Sequence, residues 1–149
     1  MRRKTYKIDQ SLHDPTFSVK TCTNFSLRLD PSSKRTMDEL VQQSVLGESE
    51  PHEKFAKEIC MKVTDEKLIL MDAEQNAITV LHMYQIAKCQ LSTKFDGLFY
   101  FIAAENLEKT RCYPFFCCKN ETAAEICSTV AKRFEIAKRK MAKKMFCPY

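Results

Sequence analysis

The stretch Leu98-Phe99-Tyr100-Phe101-Ile102, together with a second apolar run from Thr110 to Cys118, carries the strongest fold signal in the chain. Both runs are aromatic-rich and are separated by a polar segment, which is typical of buried β-strands. They lead into a long amphipathic segment that reaches almost to the end of the chain. Strands followed by one closing helix indicate a binding module, because this region contains no obvious set of catalytic groups.

The amphipathic segment is predicted to be one helix. Its apolar side chains recur at steps of three or four, so that at about 100° per residue they form a single stripe. Thr122 and Glu125 have the spacing of a capping box, which predicts that the helix begins near Thr122. The stripe consists of Ala123, Ile126, Cys127, Val130, Phe134, Ala137, Met141 and Met145.

The rest of the chain predicts a meander of short strands separated by turn-forming residues. A second capping box, Thr36 with Glu39, predicts a helix of about ten residues that ends at Gly47. The fold class is therefore α+β: a seven-stranded antiparallel barrel or sandwich, closed by the C-terminal helix, with a short helix inserted after the first strand. The predicted strands are Phe17–Cys22, with Phe25–Leu29 as its continuation, Ile59–Val63, Leu68–Met71, Ala77–His82, Gln85–Leu91, Leu98–Ala103 and Thr110–Cys118.

Length and composition indicate one domain, since 149 residues with 44% apolar content can bury a core without metals or disulfides. The chain has no run long and apolar enough for a membrane span and no signal-peptide pattern, which predicts a cytoplasmic protein. Its eight cysteines are then expected to be free thiols, most of them small core residues. They form no C-x-x-C pair, so the prediction is no metal and no cofactor.

The net charge of +5 is concentrated at the two ends of the chain. Residues 1–13 are predicted to be a flexible basic arm, residues 14–145 the domain and residues 146–149 a tail. The basic residues of the last helix have two interpretations: a solvated face near the negative end of the helix dipole, or attraction to an anionic membrane surface or acidic partner. Nucleic acid is not expected, because aromatic residues are not interleaved with the cations.

Five segments, in their order and spacing, carry a family resemblance: Glu58–Asp72, Ile86–Gln90, Phe99–Ala103, Arg111–Cys118 and Ala131–Ala137. They resemble the phosphotyrosine-binding (PTB, or PID) domain, in particular its Shc, Disabled and Numb branch. The resemblance covers about Phe17 to Lys144. It implies a pleckstrin-homology-type superfold and a non-enzymatic adaptor, in which a peptide containing Asn-Pro-x-Tyr or Asn-Pro-x-Phe adds a strand to a sheet edge.

The resemblance also implies a peptide site between one strand and the last helix. Phe134 matches the helix phenylalanine that such domains set against the peptide, whereas the helix stripe alone does not separate this role from core packing and, without the resemblance, favours the core. The implied strand residues are Gln85, Ile86, Ala87, Lys88, Cys89, Gln90 and Leu91, and the neighbours of Phe134 are Val130, Ala131, Ala137 and Lys138.

Arg111 stands where phosphotyrosine-reading members carry an arginine, and a guanidinium suits a phosphate. Glu105 and Ala87 stand where a lysine and a serine would help, and an acidic residue near a phosphate is unfavourable. We therefore expect binding of unphosphorylated peptides from receptor tails or signalling proteins to a monomeric domain, with phosphotyrosine dependence through Arg111 as an alternative. A further alternative is a phosphoinositide or acidic-membrane module, in which Lys34 and Arg35 meet headgroups at the start of the inserted helix.

Overall fold

The computed structural model of this protein describes residues 14–21, 25–27, 36–104 and 109–146. Eight strands and three α-helices make up this part of the chain. The strands are β1 Thr16–Thr21, β2 Phe25–Leu27, β3 Lys57–Val63, β4 Lys67–Met71, β5 Ala77–His82, β6 Ile86–Leu91, β7 Leu98–Ala104 and β8 Thr110–Phe116. The helices are α1 Met37–Val41, which a π-helical turn continues over Gln42–Leu46, α2 Pro51–Lys54 and α3 Asn120–Phe146, and a 3₁₀ turn spans Met83–Gln85.

Seven of the strands follow one another in the order β5-β4-β3-β1-β8-β7-β6, and all of these pairs are antiparallel. Strand β1 belongs to both halves of the sheet, because it pairs with β3 along its length and with β8 at Lys20 and Thr21. Strand β2 continues along β8, where Phe25 lies opposite Cys112. The predicted architecture of seven antiparallel strands and a closing helix is confirmed.

The last helix begins at Asn120, two residues before the predicted start, so Thr122 lies inside the helix and the capping box expected for Thr122 and Glu125 is wrong. The first helical hydrogen bond is accepted by the carbonyl of Lys119 from the N–H of Ala123, which agrees with a start at Asn120. The capping box at Thr36 and Glu39 is confirmed, and helix α1 follows it directly. Helix α2 was not predicted; its short span starts at a proline, a residue that suits the first helical position.

Strand β7 separates two apolar cores. Its odd-numbered residues Phe99 and Phe101 face the main core, where their rings lie 5.5 and 5.4 Å from that of Phe115. Helix α3 closes this core with Ile126 and Val130, which are almost completely buried. The alternation of side chains along a strand places the even-numbered residues of β7 on the opposite face.

A second core lies on that opposite face, beneath the inserted helices. Leu98 and Tyr100 of β7 pack there with Val41, Leu46 and Phe55, all of them buried. The insertion is fastened by a carboxylate: Asp38 accepts hydrogen bonds from the backbone N–H and the hydroxyl of Thr93, at 3.2 and 3.1 Å. The inserted helices therefore cover the outer face of β7 and β8.

Gly97 couples the start of β7 to the start of α3. It has φ +82°, and a Cβ atom at this residue would lie 2.0 Å from the carbonyl oxygen of Cys117. Its N–H donates to Oδ1 of Asn120 at 2.8 Å, and its carbonyl accepts from the N–H of Cys117 at 2.9 Å. A side chain is excluded at this position both by the backbone conformation and by the close approach.

We expect Gly97→Ala to lower the free energy of unfolding by roughly 2 kcal/mol or more, since a left-handed conformation and a steric clash add. Urea denaturation followed by circular dichroism measures this. Gly47→Ala is the matched control, because Gly47 also has a positive φ but a Cβ atom there would meet no other atom within 4 Å. Equal losses in the two variants would contradict the role given to the close approach.

Candidate functional site

Strand β6 is one end of the strand order, so among the described residues its outer edge pairs with no other strand. Its other edge pairs with β7, from Ile86 opposite Ala103 to Leu91 opposite Phe99. An unpaired edge offers a row of backbone donors and acceptors to an incoming strand. Helix α3 packs beside this edge. The combination forms an open channel with a strand on one side and a helix on the other.

This channel, called the β6–α3 groove below, has a cavity volume of about 180 Å³. Seven of the residues predicted for a peptide site line it, four from the strand and three from the helix. The eighth lining residue, Glu135, was not predicted, because a charged residue was expected on the solvent face of the helix. It lies one helical turn beyond Ala131, on the same side of the helix. The lining residues are Ile86, Ala87, Lys88, Cys89, Val130, Ala131, Phe134 and Glu135.

A β-bulge shapes the strand wall of the groove. Ile86 lies opposite Ala103 and Lys88 lies opposite Ile102, which leaves Ala87 as an additional residue between two consecutive pairs. A bulge of this kind bends the strand and turns side chains in new directions. Ile86 is buried while Ala87 and Lys88 are both exposed, so the strict alternation of a flat strand is interrupted here.

The helix wall is divided by the helical repeat into a core-facing and a groove-facing row. Val130 is buried in the main core. Phe134 is half-buried and Ala131 is exposed, and both lie on the side of the helix that faces β6. The two interpretations of Phe134 therefore both have support, since its ring is partly covered by the protein and partly open to the groove.

The opposite side of α3 is held by ion pairs. Nη1 of Arg133 lies 3.0 Å from a carboxylate oxygen of Asp14 and 2.6 Å from one of Asp65, and Nζ of Lys140 lies 3.7 Å from Asp65. Arg133 is mostly covered, with 16% of its side chain exposed. Charged hydrogen bonds of this kind direct the helix towards the β3–β4 turn, away from β6. They limit how far the helix can shift relative to the groove.

The remaining predicted residues lie at or beyond the ends of the groove. Gln85 ends the 3₁₀ turn, so the strand begins one residue later than predicted; the Gln85 side chain accepts from the N–H of His82 and donates to the carbonyl of Ala104. Gln90 and Leu91 are half-buried further along β6. Ala137 lines a neighbouring pocket, and Lys138 is exposed one turn beyond Phe134.

Two thiols meet beneath the groove. Cys89 of β6 and Cys127 of α3 share a hydrogen bond, which together with burial raises the pKa of Cys89 well above its usual range. The same hydrogen bond lowers the pKa of Cys127. Burial raises the pKa of Cys112 to about 12 and that of Cys117 to about 11, which agrees with the predicted role of cysteines as core residues. Of the two thiols in this pair, only Cys127 has its pKa shifted towards the thiolate form.

Arg111 lies on β8, opposite Ala103 of β7, which in turn lies opposite Ile86. Two strand spacings, about 10 Å, therefore separate its backbone from the groove edge. Arg111 is half-buried and does not line the groove. Glu105, Lys34 and Arg35 lie outside the described residues.

An antiparallel sheet whose terminal strand β6 has an unpaired outer edge, with a C-terminal helix beside that edge, is an arrangement suited to binding an extended peptide by strand addition. The chain belongs to the phosphotyrosine interaction domain (PTB/PID) family, whose sequence pattern matches residues 23–144. Domains of this family are protein-interaction adaptors that bind Asn-Pro-x-Tyr peptides, and they are not enzymes. No curated protein sequence matches the chain significantly.

Solved structures agree with this assignment at the level of the fold. The C-terminal phosphotyrosine interaction domain of APBB2 from mouse is similar with a TM-score of 0.60 and 15% identity, over 83% of this chain and 88% of that one. The complex of the FERM and C-terminal domains of Drosophila Merlin is similar with a TM-score of 0.56 and 12% identity, over 95% of this chain and 36% of that one. None of the helices in the described ranges is both long and apolar enough to cross a bilayer.

The thiol pair predicts a footprint for a bound peptide. At neutral pH iodoacetamide should modify Cys127 faster than Cys89, Cys112 or Cys117, because alkylation requires the thiolate and only Cys127 has a lowered pKa among these. A saturating Asn-Pro-x-Tyr peptide should slow the reaction of Cys127. Mass spectrometry with fragmentation locates the modified residues, and the exposed Cys118 is the internal control. Equal protection of Cys118 would contradict a footprint confined to the groove.

Proposed function

We propose that this domain is an adaptor that holds an Asn-Pro-x-Tyr or Asn-Pro-x-Phe peptide of a receptor tail or signalling protein as an additional strand along β6. The observation that carries the proposal is the convergence of Ile86, Lys88 and Phe134 on a groove beside an unpaired edge. In strand addition the backbone hydrogen bonds supply affinity, and pockets for alternate side chains supply specificity. The unpaired edge of β6 offers the backbone groups, and the space between β6 and α3 offers the side-chain pocket.

The groove suits a peptide better than a small molecule. Its volume of about 180 Å³ is below the roughly 300 Å³ at which drug-sized ligand pockets begin. A peptide backbone needs only the strand edge, and individual side chains then enter between the strand and the helix. The aromatic ring of Phe134 offers a partly buried contact surface at the centre of the helix wall, as interface anchors commonly do.

Binding is proposed to be independent of phosphorylation. A phosphate close to the groove would meet Glu135 and Lys88, one of each charge, so the lining residues offer no clear preference for an anion. Arg111 is set back from the groove by two strands. The membership in the Shc, Disabled and Numb branch remains a prediction of the resemblance.

Anionic lipid headgroups are the second ligand proposed for this domain. The exposed cations Lys132, Arg139 and Lys143 of α3 support it, since each Lys or Arg near an anionic membrane contributes about 1 kcal/mol. The peptide and the lipid would use different faces, which is compatible with a monomer in the cytoplasm that acts at the membrane surface.

The groove can be tested by filling it. We expect Phe134→Arg and Ala131→Arg to weaken binding of a labelled Asn-Pro-x-Tyr peptide by at least about tenfold, because a long charged side chain would occupy the space of the peptide. Glu125→Arg is the matched control, since Glu125 is exposed on the same helix and does not line the groove. Fluorescence anisotropy measures the affinities, and thermal unfolding verifies that the variants fold.

Two results would distinguish the ways in which this proposal can fail. If the control loses affinity as much as the groove variants do, the effect arises from charge on α3 and not from the groove. If no peptide binds saturably to the wild-type domain, the proposed peptide function is wrong, and vesicles containing anionic lipid are then the next ligand to test.

Phosphorylation of the peptide tyrosine should change the affinity by less than about threefold, which corresponds to under roughly 0.7 kcal/mol. Arg111→Ala should leave the ratio of the affinities for the phosphorylated and the unphosphorylated peptide unchanged. A phosphopeptide that binds much more tightly, with the gain removed by Arg111→Ala, would establish the phosphotyrosine-dependent alternative. Arg111→Lys serves as the comparison, because it keeps the charge and loses the bidentate geometry.

A further inference from the structure

Strand β6 and helix α3, the two walls of the groove, each contribute one cysteine to a contact at its base. Cys89 lies opposite Phe101 of β7 and lines the groove. Cys127 lies one helical turn before Val130 and Ala131, which line the other wall. The two thiols are hydrogen-bonded to each other, and both side chains pack against the main core. This contact, called the Cys89–Cys127 pair below, therefore bridges the two elements that enclose the groove.

The other described cysteines are placed differently. Cys112 is buried in the second core, on the other face of the sheet, and Cys117 is buried in the main core. Cys118 is exposed shortly before α3 begins. Among the described cysteines, all of which are free thiols, Cys89 alone shares a hydrogen bond with Cys127. The first partner available to an oxidised Cys127 is therefore Cys89.

The pair can be reached by a small oxidant and offers it a reactive sulfur. Both side chains are half-buried, and the groove beside Cys89 has a volume of about 180 Å³. This is several times the roughly 30 Å³ that a water molecule occupies in the liquid, so a molecule as small as hydrogen peroxide enters it. The hydrogen bond from the Cys89 thiol lowers the pKa of Cys127, and the thiolate is the form that peroxide oxidises.

We propose that Cys89 and Cys127 form a reversible disulfide when the domain is exposed to a peroxide, and that this bond narrows the β6–α3 groove and weakens peptide binding. Formation of the bond is independent of the proposed function, whereas its effect on the peptide rests on it. Disulfides in reducing compartments are usually transient and serve catalysis or redox sensing, which agrees with a pair of thiols that is free in this structure.

The oxidation takes place in two steps. The thiolate of Cys127 attacks one oxygen of hydrogen peroxide: an S–O bond forms, the O–O bond breaks, and the leaving hydroxide takes up a proton to become water. The sulfur of Cys89 then attacks the sulfur of this sulfenic acid. The S–S bond forms, the S–O bond breaks, and the hydroxyl group leaves with the proton of Cys89 as a second water. A dithiol reductant restores both thiols by exchange.

Bond formation changes the width of the groove. An S–S bond is about 2.0 Å long, shorter than the contact distance of unbonded sulfur atoms, so it draws β6 and α3 together. Helix α3 resists the movement through the ion pairs of Arg133 and the burial of Ile126 and Val130. Strand β6 is held by β7 on one edge only within the described chain, so the strand is the element that shifts. Its shift reduces the space between Cys89 and Ala131, where the peptide is proposed to lie.

Peptide mapping detects the bond directly. The folded wild-type domain is treated with hydrogen peroxide, the remaining thiols are blocked with iodoacetamide, and the protein is digested with trypsin without reduction. Cleavage after lysine and arginine places the two cysteines of the pair in separate peptides, residues 89–94 and 120–132, and places Cys117 and Cys118 in a third, residues 112–119. We expect a cross-linked product of the first two peptides that disappears after dithiothreitol.

The effect on binding is measured with a labelled Asn-Pro-x-Tyr peptide and the reduced and oxidised domains. We expect oxidation to weaken binding by at least about fivefold, because a contact that loses space becomes overpacked, and we expect dithiothreitol to restore the affinity. Linked equilibria are reciprocal, so a saturating peptide should disfavour the disulfide by the same factor in a glutathione redox buffer.

Three variants assign the response to the pair. In Cys89→Ala and in Cys127→Ala the ratio of the affinities before and after peroxide should fall to about one, because neither variant can form the bond. Alanine is a small apolar replacement and keeps the helix propensity at residue 127. Cys118→Ser is the matched control: Cys118 is exposed and outside the pair, so this variant should keep the ratio of the wild type. Thermal unfolding verifies that each variant folds.

The outcomes distinguish this inference from the proposed function. A cross-link of Cys127 to Cys117 or Cys118, or a sulfinic acid at Cys127 without a cross-link to Cys89, overturns the inference. A bond between Cys89 and Cys127 that leaves the peptide affinity unchanged, or raises it, overturns the control of the groove. If the reduced domain binds no peptide, the proposed function is wrong and the control of binding fails with it, while the mapping still decides whether the disulfide forms.

Discussion

Strand β7 is buried on both faces, and this burial sets the positions of the elements around it. Phe99 and Phe101 lie in the main core on one face, and Leu98 and Tyr100 lie beneath the inserted helices on the other. Burying large aromatic side chains supplies much of the favourable free energy of folding. Because β7 pairs with both β8 and β6, its position also determines where the outer strand β6 lies. The unpaired edge of β6 is therefore anchored to the most buried strand of the described chain.

Helix α3 forms one wall of the groove. Two of its sides are fixed by contacts with the rest of the domain, and a third side faces the groove. Ile126 and Val130 anchor it in the core, and the ion pairs of Arg133 draw one flank towards the β3–β4 turn. The flank that carries Phe134 faces the outer edge of β6. Among the described residues that edge pairs with no other strand, because β6 ends the strand order. A helix fixed beside an unpaired strand edge would preorganise the proposed peptide site, and preorganisation lowers the entropic cost of binding a flexible peptide.

The candidate site could be predicted where the family resemblance supplied a residue's role. Ala131 and Phe134 were assigned to the groove from the resemblance, and the structure places them together with Ile86 and Lys88. Glu135 was missed, because a charged residue beside an apolar stripe is usually a solvent-facing one. The bulge at Ala87 was not predicted, since nothing local in the chain distinguishes a bulged strand from a flat one.

The succession of strands and helices follows from the chain alone, because periodic apolar residues and turn chemistry act over short distances. The capped helix at Thr36 and the long amphipathic helix, whose single apolar stripe requires a core to pack against, follow in the same way. The unpaired strand edge, and the flank of α3 that lies beside it, become visible only in the folded molecule. Those properties depend on contacts such as Gly97 with Cys117, Asp38 with Thr93 and Arg133 with Asp65, which join residues distant in the chain and leave no local pattern.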